Sequence, residues 1–278
     1  MYQSYTDDIS TWAGRIDTLI SSLPQSVVSR VVVIESTDST QDAALRFAQS
    51  QPGLLLVASR QNNGRGSNGR RWDDGNRATL PCTFVLKACC ADAIRLSACV
   101  ACAVHETVST FMPRTMRPGI KWPNDIVVRD DEQERKIGGI LIENRDGLSL
   151  VGIGINCNQH DRDWSSEFAQ RAVSFAGLGL KVSRFDVLCQ LVTSLSEWLT
   201  SCDERAIRSY YEHFNAMIGT YRSFMHDHTM YHGRVEHMDP FDSITIDTGA
   251  GYKTLPIAQT THLRAMPHTL SEDGSCGS

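Results

Sequence analysis

The sequence has no uninterrupted apolar run of the roughly 18 residues needed to cross a membrane as a helix, so no membrane partner is expected. Its opening segment lacks a basic start and a continuous apolar core. Instead it carries Asp7, Asp8 and Asp17, which is not the pattern of a secretory signal. Positive charge is also scarce: 27 Lys and Arg against 32 Asp and Glu leave a net charge of -5. No nucleic-acid partner is expected, because binding a phosphate backbone calls for a clustered basic excess. Only 9 residues are Pro, and 41% are hydrophobic, which excludes a disordered or fibrous chain. The 9 cysteines lie mostly inside apolar patterns (Cys82, Cys99, Cys102, Cys189), away from regular disulfide spacings. Reduced core thiols in a cytoplasmic protein are the expectation. Cys99-x-x-Cys102 sits in a helical pattern of small residues, which suits packing better than redox or metal chemistry.

What is present reads as two textures. Residues 8–20 form a short amphipathic pattern, followed by a β-branched run at 29–35. A helical pattern follows, which Ser39 and Asp42 can cap and Pro52-Gly53 can end. Further strands are expected at 54–60 and 79–87, with a long helix near 91–112. Two apolar runs joined by Arg145-Asp146-Gly147 predict a β-hairpin, and 183–201 and 203–215 predict two helices. From about residue 217 the pattern alternates, as in a small barrel or sandwich. The expected organisation is an N-terminal extension over 1–28, a catalytic domain over 29–216, a small β domain over 217–270 and a disordered tail over 271–278. His226, His228, His232 and His237 are spaced to share one face of a strand, but no cysteine or carboxylate cluster completes a metal set.

Four segments can carry chemistry. The loop after the second strand contains Gly64-x-Gly66-x-x-Gly69. This matches a dinucleotide-binding turn, yet Arg70-Arg71-Trp72-Asp73 does not begin the helix whose N-terminus would hold a pyrophosphate. What remains is a loop of glycines and arginines able to bring N–H groups and guanidinium forks to a phosphate. Lys121-Trp122-Pro123-Asn124-Asp125 places an amide and a carboxylate on a restricted turn. Lys136-Ile137-Gly138-Gly139-Ile140-Leu141 sets a cation ahead of two bare backbone positions, and Gly152-Ile153-Gly154-Ile155-Asn156 repeats the bare positions on the next run.

Taken in order with Ser39-Thr40-Gln41 and Gln61, these segments resemble the biotin protein ligase family. The motifs cover about residues 29–160, and the segment after 217 fits by position and texture. The resemblance implies an α+β fold: a mixed central sheet with flanking helices, of the class II synthetase type, followed by a small SH3-like β-barrel. It implies ATP, Mg2+ and biotin as ligands and biotin carboxyl carrier domains as partners, with ligation to a carrier lysine through biotinyl-5'-AMP. Ser39, Thr40, Gln41, Gln61, Gly64, Arg65, Lys136, Gly138, Gly139, Ile140, Leu141 and Gly154 would hold biotin. Gly66, Ser67, Arg70, Trp72, Lys121, Asn124 and Asn156 would hold ATP, with Trp72 covering the adenine. Arg65, Lys136 and Asp125 would stand closest to the chemistry, and Asp125 would bind the metal. Ser67 stands where the family usually carries a basic residue, and Gln41 replaces the usual asparagine. The segment ahead of the first strand is too short for the DNA-binding winged helix of some members, so no repressor role is expected. Two other readings stay open: a lipoate-type protein ligase of the same superfamily, and a non-catalytic homologue that binds biotin or nucleotide.

Overall fold

The computed structural model describes residues 8–73, 78–88, 93–129, 133–166, 168–201 and 203–263. The chain divides into two compact units, Met1–Ala216 and Met217–Ser278.

In the first unit, α1 (Trp12–Ser22) buries Trp12 and Ile16, and the Trp12 ring lies 5.6 Å from Phe185. The helix ahead of the first strand is thus packed within the first unit. β1 (Arg30–Thr37) and β2 (Leu54–Gln61) pair in parallel, joined by α2 (Thr40–Ala48) as the crossover that parallel neighbours require. Ser39 is extended ahead of α2, as an N-cap should be, but its side chain makes no capping bond. The expected capping box fails because the Asp42 carboxylate is taken by Arg65 and Arg145.

The glycine and arginine loop folds into a small hairpin of β3 (Gly64–Arg65) and β4 (Arg71–Trp72), which pair antiparallel. There follow β5 (Thr79–Lys87), α3 (Ala93–Thr110), β6 (Pro118–Lys121), β7 (Asp125–Arg129), β8 (Glu134–Arg145), β9 (Leu148–Asn156), α4 (Arg184–Ser201) and α5 (Glu204–His213). Asp146 and Gly147 have φ of 51° and 74°, the left-handed pair that an Asp-Gly hairpin turn favours. The main sheet runs β1-β2-β5-β9-β8-β7-β6 and is antiparallel except at β1-β2. On one face Ala43, Ala44 and Ala48 of α2 pack on Leu54, Leu56, Val85, Leu148 and Leu150. His105 of α3 is buried, with Nδ1 2.9 Å from the Tyr210 hydroxyl and Nε2 3.1 Å from the Pro118 carbonyl. Burial lowers its pKa to about 4, so a neutral imidazole ties α3 to α5 and β6.

The second unit holds β10 (Tyr221–His226), β11 (Thr229–Met238), β12 (Ser243–Asp247), β13 (Tyr252–Pro256) and β14 (Thr260–Leu263). These pair antiparallel in the order β13-β12-β11-β10-β14, burying Phe224, Val235, Ile244, Ile246 and Leu255. The expected single row of histidines is broken. His226 ends β10 and His228 lies in the turn at φ 60°, so the four do not stand together on one strand. The proposed tail at 271–278 and residues 264–270 lie outside the described residues.

Candidate functional site

Strand alternation makes the site. Leu148, Leu150, Gly152 and Gly154 of β9 share a face, and their partners on β8 are Arg145, Glu143, Leu141 and Gly139. Carried across β5 and β7, the register lines up Pro81, Gly154, Gly139 and Asp125 in one row over four strands. The two glycines at its centre form a bare shelf. Over it lies a cavity of about 40 Å³, or about 460 Å³ with the solvent-open mouth included. Its walls bring together Ser39, Thr40, Gln41, Gln61, Arg65, Gly66, Ser67, Trp72, Asn124, Lys136, Gly139, Ile140, Leu141 and Gly154 from the sequence-based set.

Two buried amides are each held by one half. Gln61 Oε1 accepts from the Thr40 amide at 2.8 Å and from its hydroxyl at 3.0 Å, while Thr83 donates to the Thr40 hydroxyl. Gln41 Nε2 donates to the carbonyls of Leu141 at 2.8 Å and Leu150 at 3.2 Å. Carbonyl acceptors fix which end of Gln41 is the nitrogen. Its Oε1 is therefore presented as an acceptor, and Gln61 presents Nε2 as a donor.

The cations are set by different devices. A register shift between Ile126 and Val127 places one extra residue in β8, which moves Lys136 onto the face of Gly139. Without it Lys136 would share the face of Gly138. Lys136 Nζ lies 2.5 Å from Asp125 Oδ1 and 5.2 Å from the centre of the Trp72 ring. Arg65 grips Asp42 with both guanidinium nitrogens, at 2.5 and 3.0 Å, and reaches Glu143 at 3.4 Å. Arg145 bridges the same two carboxylates. The hydrogen bond from Arg65 holds the Asp42 carboxyl down to about 2 against the opposing effect of burial, with Arg145 assisting. Arg65 thus fastens the β3-β4 hairpin to α2 and β8.

Several expected residues are elsewhere. Gly138 faces away from the shelf, with Val104 of α3 3.6 Å from where a Cβ would stand. Asn156 does not line the cavity: its Nδ2 is spent on the carbonyls of Lys136 at 3.1 Å and Val173 at 3.0 Å. Lys121 is paired with Glu134 at 2.5 Å, and Arg70 is exposed beside the hairpin. Gly64 abuts Gln61 and the Trp72 carbonyl, where any Cβ would collide. Asp125 reaches the site only through Lys136. Trp72 lies against Gly139 and Gly154, and its buried Nε1 has no hydrogen-bond partner among the described residues. Sequence reasoning missed Pro81, and it named Gly152 and Ile153 within a glycine motif without giving them a ligand. Gly152 was accessible to it, since period two from Gly154 puts both on one face.

Residues 31–160 match the model of the biotin/lipoate A/B protein ligase family. The bifunctional ligase/repressor BirA of Bacillus subtilis is 29% identical over 185 residues, covering 63% of this chain and 53% of that protein. The biotin–[acetyl-CoA-carboxylase] ligase of Paracoccus denitrificans is 33% identical over 134 residues, covering 45% and 53%. This chain spans about half the length of the curated relatives it matches. A solved structure, the biotin protein ligase of Aquifex aeolicus in complex with biotin and ATP, superposes with a TM-score of 0.70 at 25% identity, covering 84% of this chain and 99% of that one. Over residues 31–160 the first unit is similar to the biotin/lipoate A/B protein ligase family. Within that family the Paracoccus relative and the Aquifex structure are both biotin ligases, and it is this branch that the chain resembles.

Proposed function

We propose that the protein is a biotin protein ligase that forms biotinyl-5'-AMP from biotin and ATP and passes the biotinyl group to a lysine of a biotin carboxyl carrier domain. One observation carries the reading: a single cavity gathers the half-held amides of Gln41 and Gln61 and the Lys136 ammonium around a glycine shelf. A cyclic urea brings N–H donors and a C=O acceptor, which match the Gln41 oxygen and the Gln61 nitrogen. In the first step an oxygen of biotin's carboxylate attacks the α-phosphorus of ATP, and pyrophosphate leaves with the electrons of the broken P–O bond. Both reactants are anions, so positioning and positive charge supply most of the rate. Lys136 is the cation on the shelf, and exchanging its partner Asp125 for the ligand's anionic groups would deliver that charge. Arg65, engaged with Asp42 and Glu143, orders the hairpin that closes the cavity. In the second step the carrier's amine attacks the acyl carbon, loses a proton and expels AMP, and the mixed anhydride needs little further activation.

Among the described residues no group of three or more His, Cys, Asp or Glu side chains is gathered for a metal. Magnesium bound mainly by phosphate oxygens needs only one or two carboxylates, and Asp125 fits that reduced role, in which the ion would neutralise phosphate charge. No described helix is long and apolar enough to cross a membrane, and a cytoplasmic site of action accords with the burial of Cys82, Cys99, Cys102 and Cys157 in the core. The catalytic unit is taken as residues 29–216 and the β unit from 217 as an aid to carrier transfer.

Pyrophosphate exchange into ATP tests the reading. Exchange that depends on biotin supports it, exchange that depends on lipoate assigns the lipoate-type alternative, and none with either leaves a binding protein without turnover.

A further inference from the structure

We propose that Arg184 is a positioning residue for the pocket: its guanidinium replaces a stretch of backbone ladder that Pro81 interrupts, and so holds the end of β2 that carries Gln61. The register of β2 and β5 runs from Leu54↔Val85 to Val57↔Cys82 and stops there, although β2 continues to Gln61 and β5 begins at Thr79. Carried one step on, it would set Ala58 against Pro81. Backbone groups alternate along a strand, so those of Thr79, Pro81, Thr83 and Val85 share the side turned to β2, where the Val85 carbonyl accepts from the Gly53 amide. Proline has no N–H to donate there, which is why it is normally confined to sheet edges. Yet β5 lies inside the sheet, and its ladder to β9 continues to Thr79↔Asn156. The residues from Ala58 to Gln61 therefore run without a ladder to β5.

Arg184 spans that gap. Its Nη1 donates to the Ser59 carbonyl at 3.2 Å and to the Thr79 carbonyl at 3.1 Å, one from each strand. The residue is 3% exposed and opens α4, although a cation is unfavourable at a helix N-terminus and arginine is seldom so deeply buried. Two local preferences broken at one place mark a position set by tertiary contacts. The guanidinium also lies 5.5 Å from the centre of the Trp12 ring, so α1 packs against the clamp. Two residues beyond Ser59, Gln61 accepts from the Thr40 amide and hydroxyl, and Thr83 of β5 donates to the same hydroxyl. This chain passes from β2 to β5 through side chains, so the spacing of the two strands sets where the Gln61 amide stands. Arg184 does not line the cavity and acts through that spacing. The inference rests on the proposed function for the identity of the ligand that Gln61 reads.

The test uses the full chain with Arg184→Met, which keeps a long stem without donors, and Arg184→Lys, whose ammonium can still meet carbonyls. In pyrophosphate exchange the KM for biotin should rise about tenfold in Arg184→Met and about threefold in Arg184→Lys, with the KM for ATP changed less than about twofold. Amide hydrogen exchange followed by NMR separates positioning from lost stability. The Thr40 amide, which donates to the Gln61 side chain, should exchange about tenfold faster in Arg184→Met relative to the Gly53 amide beside the intact part of the ladder. A KM for biotin unchanged in a folded Arg184→Met, or Thr40 and Gly53 amides that speed up together, would overturn the assignment. Should Arg184→Met fail to fold, Pro81→Ala decides, because it restores the missing N–H. Arg184→Lys should then raise the KM for biotin less than about twofold when made in the Pro81→Ala protein, and an equal rise in both backgrounds would remove the link. If the wild type shows no exchange with biotin, the biotin reading falls, and the Thr40 amide still decides the role of Arg184.

Discussion

The sheet wall of the cavity and the hairpin wall hold their residues by opposite means. On the sheet, Gln41, Thr40 and Gln61 are fixed by hydrogen bonds to buried backbone, and Gly139 and Gly154 by ladders on both sides. On the hairpin, Arg65 and Trp72 sit on strands of two residues, fastened by ion pairs about a third exposed and by an indole resting on glycine. Buried hydrogen bonds are costly to leave unmade, whereas partly exposed ion pairs contribute little. The shape of the pocket is therefore written into the sheet, and access to it into the hairpin.

The sharpest way to test that division is Lys136→Ala, which removes the cation from the sheet wall. Biotin-dependent pyrophosphate exchange should fall about 10²–10³-fold, as when one charge-stabilising group is removed from an active site. Near-normal exchange in a folded variant would take Lys136 out of the mechanism. On the hairpin side, Ser67→Arg supplies a fork of donors where one hydroxyl now stands. A charge-assisted hydrogen bond is worth about 1.5–3 kcal/mol, so release of biotinyl-5'-AMP should slow by up to about a hundredfold, and unchanged release would show that this position does not govern retention.

Asn156→Ala asks whether that residue belongs to the ligand or to the wall. Losing the bonds to the carbonyls of Lys136 and Val173 should cost about 1–3 kcal/mol in urea unfolding, with the KM for ATP near its wild-type value. A raised KM at unchanged stability would return Asn156 to the nucleotide. The smallest effect expected is acid release of the hairpin latch. Asp42 has its pKa lowered to about 2, so its contribution is complete above its ordinary value and is lost as pH falls from about 4 towards 2. Relative to Asp42→Asn, the wild type should be more stable by about 0.2–1 kcal/mol at pH 6, with the gap closing in melts taken near pH 2. A gap independent of pH would show that Arg65 is not held by the ionised carboxylate.

Much of this was legible in the sequence where the signal is local. The strand at Thr79–Lys87 and the hairpin at Asp146-Gly147 follow from β-branched content and turn chemistry, and both stand where expected. The facing of residues was legible only in part. Gly138 and Gly139 are neighbours in a motif, yet alternation sends one to α3 and the other to the shelf. Lys136 joins Gly139 because of a register shift that depends on the pairing of β7, which no pattern within β8 reveals. Asp42 looked like a capping residue because helix-start preferences are local, and its actual partners, Arg65 and Arg145, are distant in sequence. Asn156 ends a glycine-rich strand in the position of a ligand-reading amide, but the carbonyls that claim it come from other segments.

The pairing of β5 with β9 joins Thr79 to Asn156 and Pro81 to Gly154 across a long excursion of chain. Contacts so far apart in sequence must pay for loop closure before they gain anything, which makes them slow to form. The shelf therefore has no existence in any fragment: a nascent chain that has emitted Ser39 to Trp72 carries half of the lining side chains and no floor to set them on. Biotin capture would begin only when β9 has been synthesised and inserted between β5 and β8, so it would report completion of the sheet during synthesis.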